Sequence, residues 1–230
     1  MWGAATRLSA GSNVPPRYLR SSALTALRET PARVVVLASG TGSLLQSIIA
    51  ATASENYPAR IVAVGVDRDC DAARRADEAG IPHFRIGLRD YAERAEWDGA
   101  LTDAVLGHEP DLVVTAGFMK ILGERFLDAF AGRIVNTHPA LLPSFPGAHA
   151  VRDALDHGVK LTGSTVHLVD SGVDTGPILA QEAVPVLDDD DEAALHERIK
   201  TVERRLLVDV IAAVATTGVT SDGRKAQIIR

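Results

Sequence analysis

The 230-residue chain has one cysteine, Cys70, so no disulfide can form within it. A lone thiol suits a reducing compartment, and the cytoplasm is the expected location. No apolar run approaches the roughly 18 residues of a membrane-spanning helix. There is no excess of positive charge either: the formal net charge is −6, which argues against general nucleic-acid binding. Internal repeats are absent. So is any histidine pair at metal-binding spacing, so His83, His108, His157, His167 and His196 read as ordinary polar side chains and no metal is expected. No glycine-lysine-serine follows the glycine-rich loop, which excludes a P-loop. No elbow motif marks a serine or cysteine nucleophile, and Cys70 lies in an acidic, polar context unsuited to that role.

Residues 1–32 stand apart. They carry Arg7, Arg17, Arg20 and Arg28 against the single acid Glu29 and are rich in Ser and Thr. A targeting peptide can look like this, but the composition reads as a disordered extension. From Arg33 onward strand and helix alternate. "RVVVLA" (33–38), "RIVAVGV" (60–66), "IPHFRI", "DLVVTAG" (111–117) and "RIVNTH" are apolar runs typical of strands buried on both faces. Helical spacing follows in "LLQSIIAATA", "DAARRADEAG", residues 90–107 and "KILGERFLDAF". Alternation of this kind implies parallel strands with crossover helices. It stops at residues 162–169 and 177–186. These two strand-like runs are joined by "DSGVDTG", a loop short enough only for antiparallel neighbours. The expected fold is α/β, a mixed and mostly parallel sheet flanked by helices. A long closing helix follows the acidic run Asp188 to Asp191, whose charges suit a helix start better than a cation site. A small hairpin turning at Asp222-Gly223 ends the chain.

Two places carry chemistry. "SGTGS" lies where a buried strand feeds a helix, so its glycines and the helix N-terminus can receive an anion. Leu45 stands where a dinucleotide fingerprint needs a third glycine, yet Asp67 ends the second strand where a ribose-binding acid would sit. A protein that binds NAD on a Rossmann-like sheet is thus the alternative from a different class. The second place is "NTHPALLPSFPG" (136–147). Residues i and i+2 of a strand share a face, so Asn136 and His138 point one way and Thr137 the other. They lie at the carboxyl end of their strand, where open α/β sheets build sites. Pro139, Pro143 and Pro146 restrict the chain behind them, and His149 reads as a supporting residue. Asp170 and Asp174 lie in a glycine-rich loop. A carboxylate beside an imidazole orients it and favours its charged form. Asn, His and Asp together can stabilise an oxyanion and move protons in acyl transfer.

The stretches "VVVLASGTGSLLQSII", "LVVTAGFMKIL", "NTHPALLPSFPG" and "GSTVHLVDSGVDTGPIL" resemble the folate-dependent glycinamide ribonucleotide formyltransferases of purine synthesis. The resemblance runs through about residues 33–215, and the last two motifs together are specific to folate-dependent formyl transfer. Methionyl-tRNA formyltransferase and formyltetrahydrofolate hydrolase share them, with a further C-terminal or N-terminal domain for which this length leaves no room. The hydrolase stays as an alternative activity.

The resemblance implies a Rossmann-like formyltransferase fold of about seven strands. It makes 33–230 a single domain, with 33–130 the nucleotide-binding half and 131–230 the folate and catalytic half. It implies transfer of the formyl group of 10-formyltetrahydrofolate to the amine of glycinamide ribonucleotide, in de novo purine biosynthesis. Asn136, His138 and Asp174 become the catalytic residues. Thr41, Gly42, Ser43 and Leu44 hold the nucleotide phosphate. Lys200 and Glu203 lie near the nucleotide, with Glu203 on the ribose hydroxyls. Arg94 lies near the folate tail. Met119, Lys120, Ile121 and Leu122 line one wall of the pterin pocket, and Val169 to Asp174, including Asp170, the other, with Asn136 between them. Both substrates are small molecules, no nucleic acid or membrane is involved, and a homodimer is left open. Two positions depart from the family pattern: Leu44 replaces a common Asn, and Lys120 a common Arg, which keeps the charge but loses the fork.

Overall fold

The computed structural model describes residues 31–229. The extension read over residues 1–32 therefore falls almost entirely outside the described residues, except that Ala32 already belongs to the first strand, β1 (Ala32–Ala38). Ala32 and Arg33 are tied in at once, to the Pro58 carbonyl at 2.8 Å and the Asp111 carboxylate at 2.9 Å. Removing residues 1–30 is accordingly expected to leave folding and activity intact. Insolubility, or lower activity at equal concentration, would count against that reading.

After β1 come α1 (Ser43–Thr52), β2 (Ala59–Val66), α2 (Asp71–Glu78), β3 (His83–Arg85), a 3-10 turn at Leu88–Asp90, α3 (Arg94–Leu106), β4 (Leu112–Thr115), α4 (Glu124–Ala129) and β5 (Ile134–His138). The chain continues through α5 (Ala150–His157), β6 (Leu161–Leu168), β7 (Ile178–Pro185), α6 (Glu192–Thr217), β8 (Val219–Ser221) and β9 (Ala226–Ile228). One seven-stranded sheet has the order β3-β2-β1-β4-β5-β6-β7. The first five strands are parallel, β6 and β7 pair antiparallel, and β8-β9 forms the terminal hairpin.

Alternation along β1 explains why the sheet is covered on both faces. Val34 and Val36 pack with Leu45 and Ile48 of α1 and Leu207 and Ile211 of α6. Val35 and Leu37 face the other way, onto Trp97 of α3 and Phe126 of α4. A strand buried on both sides has no polar face, which is why its sequence reads as an unbroken apolar run.

Two expectations need correction. The run from Lys120 to Phe130 is not one helix, because α4 begins only at Glu124. Buried Asp98 accepts hydrogen bonds from the Gly123 N–H at 2.8 Å and the Phe126 N–H at 3.3 Å. It therefore fixes the helix start, and residues 119–122 are left as irregular chain with a bend at Lys120. Helix α5 is an element the sequence reading does not contain, and it directly follows the proline-rich loop. The acidic run resolves into separate tasks. Asp191 caps α6 by accepting from Ala194 N–H at 2.7 Å, Asp190 pairs with Arg198 at 2.7 Å, and Asp188 pairs with Lys160 at 2.9 Å.

Strand order reverses between β1 and β4, the place where an open parallel sheet splits its connections and leaves a crevice at its carboxyl edge. The loops leaving β1, β4 and β5 all open there.

Candidate active site

A cavity of about 680 Å³ occupies that crevice. The loop Gly40–Leu44 forms one end. The chain from Thr115 to Leu122, the end of β5 and the loop Val169–Asp174 form the walls, and His196, Lys200 and Glu203 of α6 contribute a further side.

Gly42 caps α1 in the left-handed conformation, φ 68°. A Cβ there would come within 2.9 Å of the Ala72 Cα, so only glycine fits. The first N–H groups of α1 lack partners within the helix, and Gly42, Ser43 and Leu44 line the cavity, so an anion can be received there. Behind the loop, Arg75 donates to the Thr41 carbonyl at 2.8 Å and to Gln46 at 2.8 Å. The Leu44 side chain is buried in the core, so its departure from asparagine leaves the backbone donors in place.

The polar centre is built across β5 and β6. Asn136 lies opposite His167 in the antiparallel register. The Thr115 hydroxyl donates to Asn136 Oδ1 at 2.6 Å, and Asn136 Nδ2 lies 3.1 Å from His167 Nε2. His167 Nδ1 donates to the Leu168 carbonyl at 2.9 Å. Burial holds the His167 imidazole below its usual pKa, so the ring is neutral and Nε2 accepts from the amide. His138 is buried. Its Nε2 donates to the Phe145 carbonyl at 2.8 Å, leaving Nδ1 facing Asp174 Oδ2 at 3.4 Å. Asp174 Oδ2 also accepts from Gly147 N–H at 2.8 Å, and Oδ1 lies 3.7 Å from His167 Nε2. Phe145 (φ 53°) and Asp174 (φ 54°) both adopt left-handed backbone. Such conformations cost about 1–3 kcal/mol and gather at functional sites. The loop is closed by Gly176, where a Cβ would lie 1.8 Å from the Leu168 carbonyl oxygen.

Toward α6, the Thr137 hydroxyl donates to Glu203 Oε1 at 2.9 Å. Burial raises the Glu203 carboxyl, with the Thr137 bond and the Lys200 charge working against it. At the mouth, Met119 and Ile121 are 61% and 63% exposed, an apolar surface that a flat ring can cover.

Other sequence assignments change. Asp67 is not free for a ribose. Burial alone would raise its carboxyl, but hydrogen bonds from Arg68, Lys120 and Ser39 bring it down to about 2. Lys120 Nζ lies 2.7 Å from it, so the acid is spent on holding the lysine, and the NAD reading loses its main support. Arg94 does not line the cavity; its guanidinium hydrogen-bonds the Ile121 carbonyl and stacks 5.4 Å over Trp97. Asp170 lines the wall but is committed to its own loop, accepting from Gly172 N–H at 3.0 Å and the Thr175 hydroxyl at 2.6 Å. His149 is exposed at the start of α5 and supports nothing in the cavity. The supporting histidine is His167, whose role depends on strand register and left no spacing signal.

The chain matches the formyl transferase family over residues 32–211. The chain belongs to the formyl transferase family. Among its relatives, phosphoribosylglycinamide formyltransferase of Mycobacterium tuberculosis (strain ATCC 25618 / H37Rv) is 64% identical over 200 residues, 87% of this chain and 93% of the relative. The trifunctional purine biosynthetic protein adenosine-3 of Homo sapiens is 42% identical over 80% of this chain, which spans 18% of that longer protein. The crystal structure of glycinamide ribonucleotide transformylase 1 from Symbiobacterium toebii superposes with a TM-score of 0.84 at 40% identity, covering 86% of this chain and 94% of that one. The formyl transferase fold of these relatives thus carries the seven-stranded sheet described above. Among the described residues no helix is long and apolar enough to cross a membrane.

Proposed function

We propose that this formyl transferase moves the formyl group of 10-formyltetrahydrofolate to the amine of glycinamide ribonucleotide, a step of de novo purine synthesis in the cytoplasm. The products are N-formylglycinamide ribonucleotide and tetrahydrofolate. The observation that carries it is the Asn136–His138–Asp174 cluster at the centre of a cavity with an anion-binding loop at one end and an apolar mouth at the other. In this reading residues 33–230 work as one domain. The 33–130 half supplies the phosphate loop and the 131–230 half supplies the polar centre.

The nucleotide phosphate sits on the N–H groups of Gly42, Ser43 and Leu44 beside Thr41, and Glu203 with Lys200 faces the ribose. The pterin lies between Met119–Leu122 and Val169–Asp174. The amine nitrogen attacks the formyl carbon, a C–N bond forms, and the carbonyl oxygen becomes an oxyanion. Asn136 Nδ2 donates to that oxygen, and Thr115 on Oδ1 keeps the amide from turning over. His138 presents Nδ1 to the same space, with Asp174 as the counter-charge to its protonated ring. The bond from the formyl carbon to the folate nitrogen then breaks, and the proton lost by the amine goes to that nitrogen through water beside Asp174. The prolines and the Phe145 carbonyl keep the histidine still, because a misplacement of about 1 Å can cost about a hundredfold in rate.

The direct test is an assay with both substrates. Formylated nucleotide is expected only when both are present. Formate release at the same rate without acceptor would instead mark a formyltetrahydrofolate hydrolase.

The loop assignment has its own test. Gly42→Val is expected to weaken nucleotide binding far more than folate binding, because φ 68° is strained for a β-branched residue and the new side chain strikes Ala72 and Arg75. A stability loss of about 1–3 kcal/mol should accompany it. Titration of each ligand with the melted fraction subtracted decides the matter, and equal loss for both ligands would count against a phosphate loop.

A further inference from the structure

The nucleotide end of the cavity contains one polar side chain that this mechanism leaves idle. His196 lies on α6 one turn before Lys200, and both line the cavity with the glycine loop. Positions i and i+4 of a helix are neighbours on one face. The His196 ring is half-buried, and neither ring nitrogen has a hydrogen bond among the described residues. Among the described residues, the neighbouring cations Arg75 and Lys200 are engaged. Arg75 spends its fork on the Thr41 carbonyl and Gln46, and Lys200 Nζ lies 2.7 Å from Glu197 Oε1.

Charge bookkeeping shows what is missing. A phosphate monoester brings a charge of about −1.5 to −2 at neutral pH. The N-terminus of α1 offers the equivalent of about +0.5. Lys200 adds a positive charge already shared with Glu197. A half-buried imidazole without a partner, on the same helix face as that lysine, is the group able to supply the rest.

We propose that His196 donates to the phosphate of the bound nucleotide and takes up a proton as it does so, which makes phosphate-ester affinity fall as pH rises through neutrality. The inference rests on the function proposed above and deepens it. In the empty cavity, burial and then the Lys200 charge hold the imidazole below its usual pKa, with Glu197 and Glu192 of the same helix pulling the other way. The ring therefore starts neutral, and a dianion is what charges it. The other titratable groups around the cavity, His138, His167, Asp170, Asp174 and Glu203, belong to its far wall or to the ribose position, and Lys120 is paired with Asp67 at 2.7 Å. α5 packs on α6 through Val151 against Leu195 and Ile199 and carries Arg152, Asp153 and Asp156, while Glu182 of β7 is tied to Arg205.

The test is calorimetric titration of the full chain with glycinamide ribonucleotide between pH 6.5 and 8.5, in two buffers of different ionisation enthalpy. The parent should take up protons on binding near neutrality. His196→Gln should lose part of that uptake and bind about 10-fold more weakly at pH 6.5, as for a lost hydrogen bond to a charged group, while approaching the parent at pH 8.5. His196→Lys should keep the affinity and flatten its pH dependence. Titration with the folate donor reports folding, and should be unchanged in both variants. A His196→Gln protein with the parent's affinity and proton uptake would overturn the proposal, as would a His196→Lys protein with the parent's pH dependence. Inorganic phosphate separates the two readings. If the parent binds phosphate with this pH dependence but not glycinamide ribonucleotide, the proposed substrate is wrong and the His196 contact stands. Binding of neither overturns both.

Discussion

Replacing Asn136 with alanine should slow formyl transfer by about 10²–10³-fold, the usual cost of one lost oxyanion donor. The amide is the best-held group in the cavity. Its oxygen accepts from Thr115, its nitrogen lies 3.1 Å from His167 Nε2, and the residue lines the cavity. Because the donor matters most once the oxygen is charged, the loss should appear in kcat while both Michaelis constants change little. A second effect follows from the same contacts. Alanine leaves the Thr115 hydroxyl with only its 3.3 Å approach to the Val135 carbonyl and takes the amide donor from His167 Nε2. Unsatisfied buried groups cost about 1–3 kcal/mol each, so the variant should also melt lower. Kinetics at a temperature well below the melting range separate the two. Near-normal turnover with both Michaelis constants raised would show that Asn136 binds substrate and does not stabilise the transition state.

Asp174→Asn should be slower still for its size, by about 10²–10⁴-fold, the range of a lost acid–base group. The substitution is a clean one here. Asp174 sits at φ 54°, and asparagine is among the few residues that enter the left-handed region readily. An amide oxygen can still accept from Gly147 N–H, so the loop should keep its shape and only the charge facing His138 and His167 is lost. The pH dependence of the remaining activity should differ from the parent's, since one ionisable group of the cluster is gone. Transfer should also be direct. Among the described residues no hydrogen bond joins a serine or cysteine to His138, whose ring meets the Phe145 carbonyl and Asp174, so incubation with the donor alone should leave the protein's mass unchanged. A formyl adduct chased off by glycinamide ribonucleotide at a competent rate would replace the mechanism with covalent catalysis. A variant with the parent's rate and pH profile would make the carboxylate purely structural.

Much of this was readable from residue order. The β-branched run at Val34–Val36 could only be a strand covered on both faces, and the short link between "TGSTVHLV" and "PILAQEAVPV" could only join antiparallel neighbours. Asn136 and His138 share a face because a strand has period two. The polar pair at a strand's carboxyl end, followed by three prolines, announces a site, and the sequence's likeness to the formyltransferases names its chemistry. These are local properties: periodicity, turn length and backbone stiffness act over a few residues, and a sequence displays them directly.

What only the tertiary structure decided are the partners that meet across long intervals. His167 reaches Asn136 because β6 takes one antiparallel register and not another, and nothing in "STVHLV" states that register. The start of α4 is set by Asp98, 25 residues earlier, which outweighs the helical pattern of Lys120–Leu122. Asp67 looks like a free ribose acid until Lys120 and Arg68 close on it. Arg94 meets the Ile121 carbonyl, 27 residues on, a pairing that its own surroundings in the sequence do not announce. In each case a polar group has several chemically acceptable partners along the chain. The choice among them is made by the packing of the sheet and helices, whose burial energy far exceeds that of any single hydrogen bond.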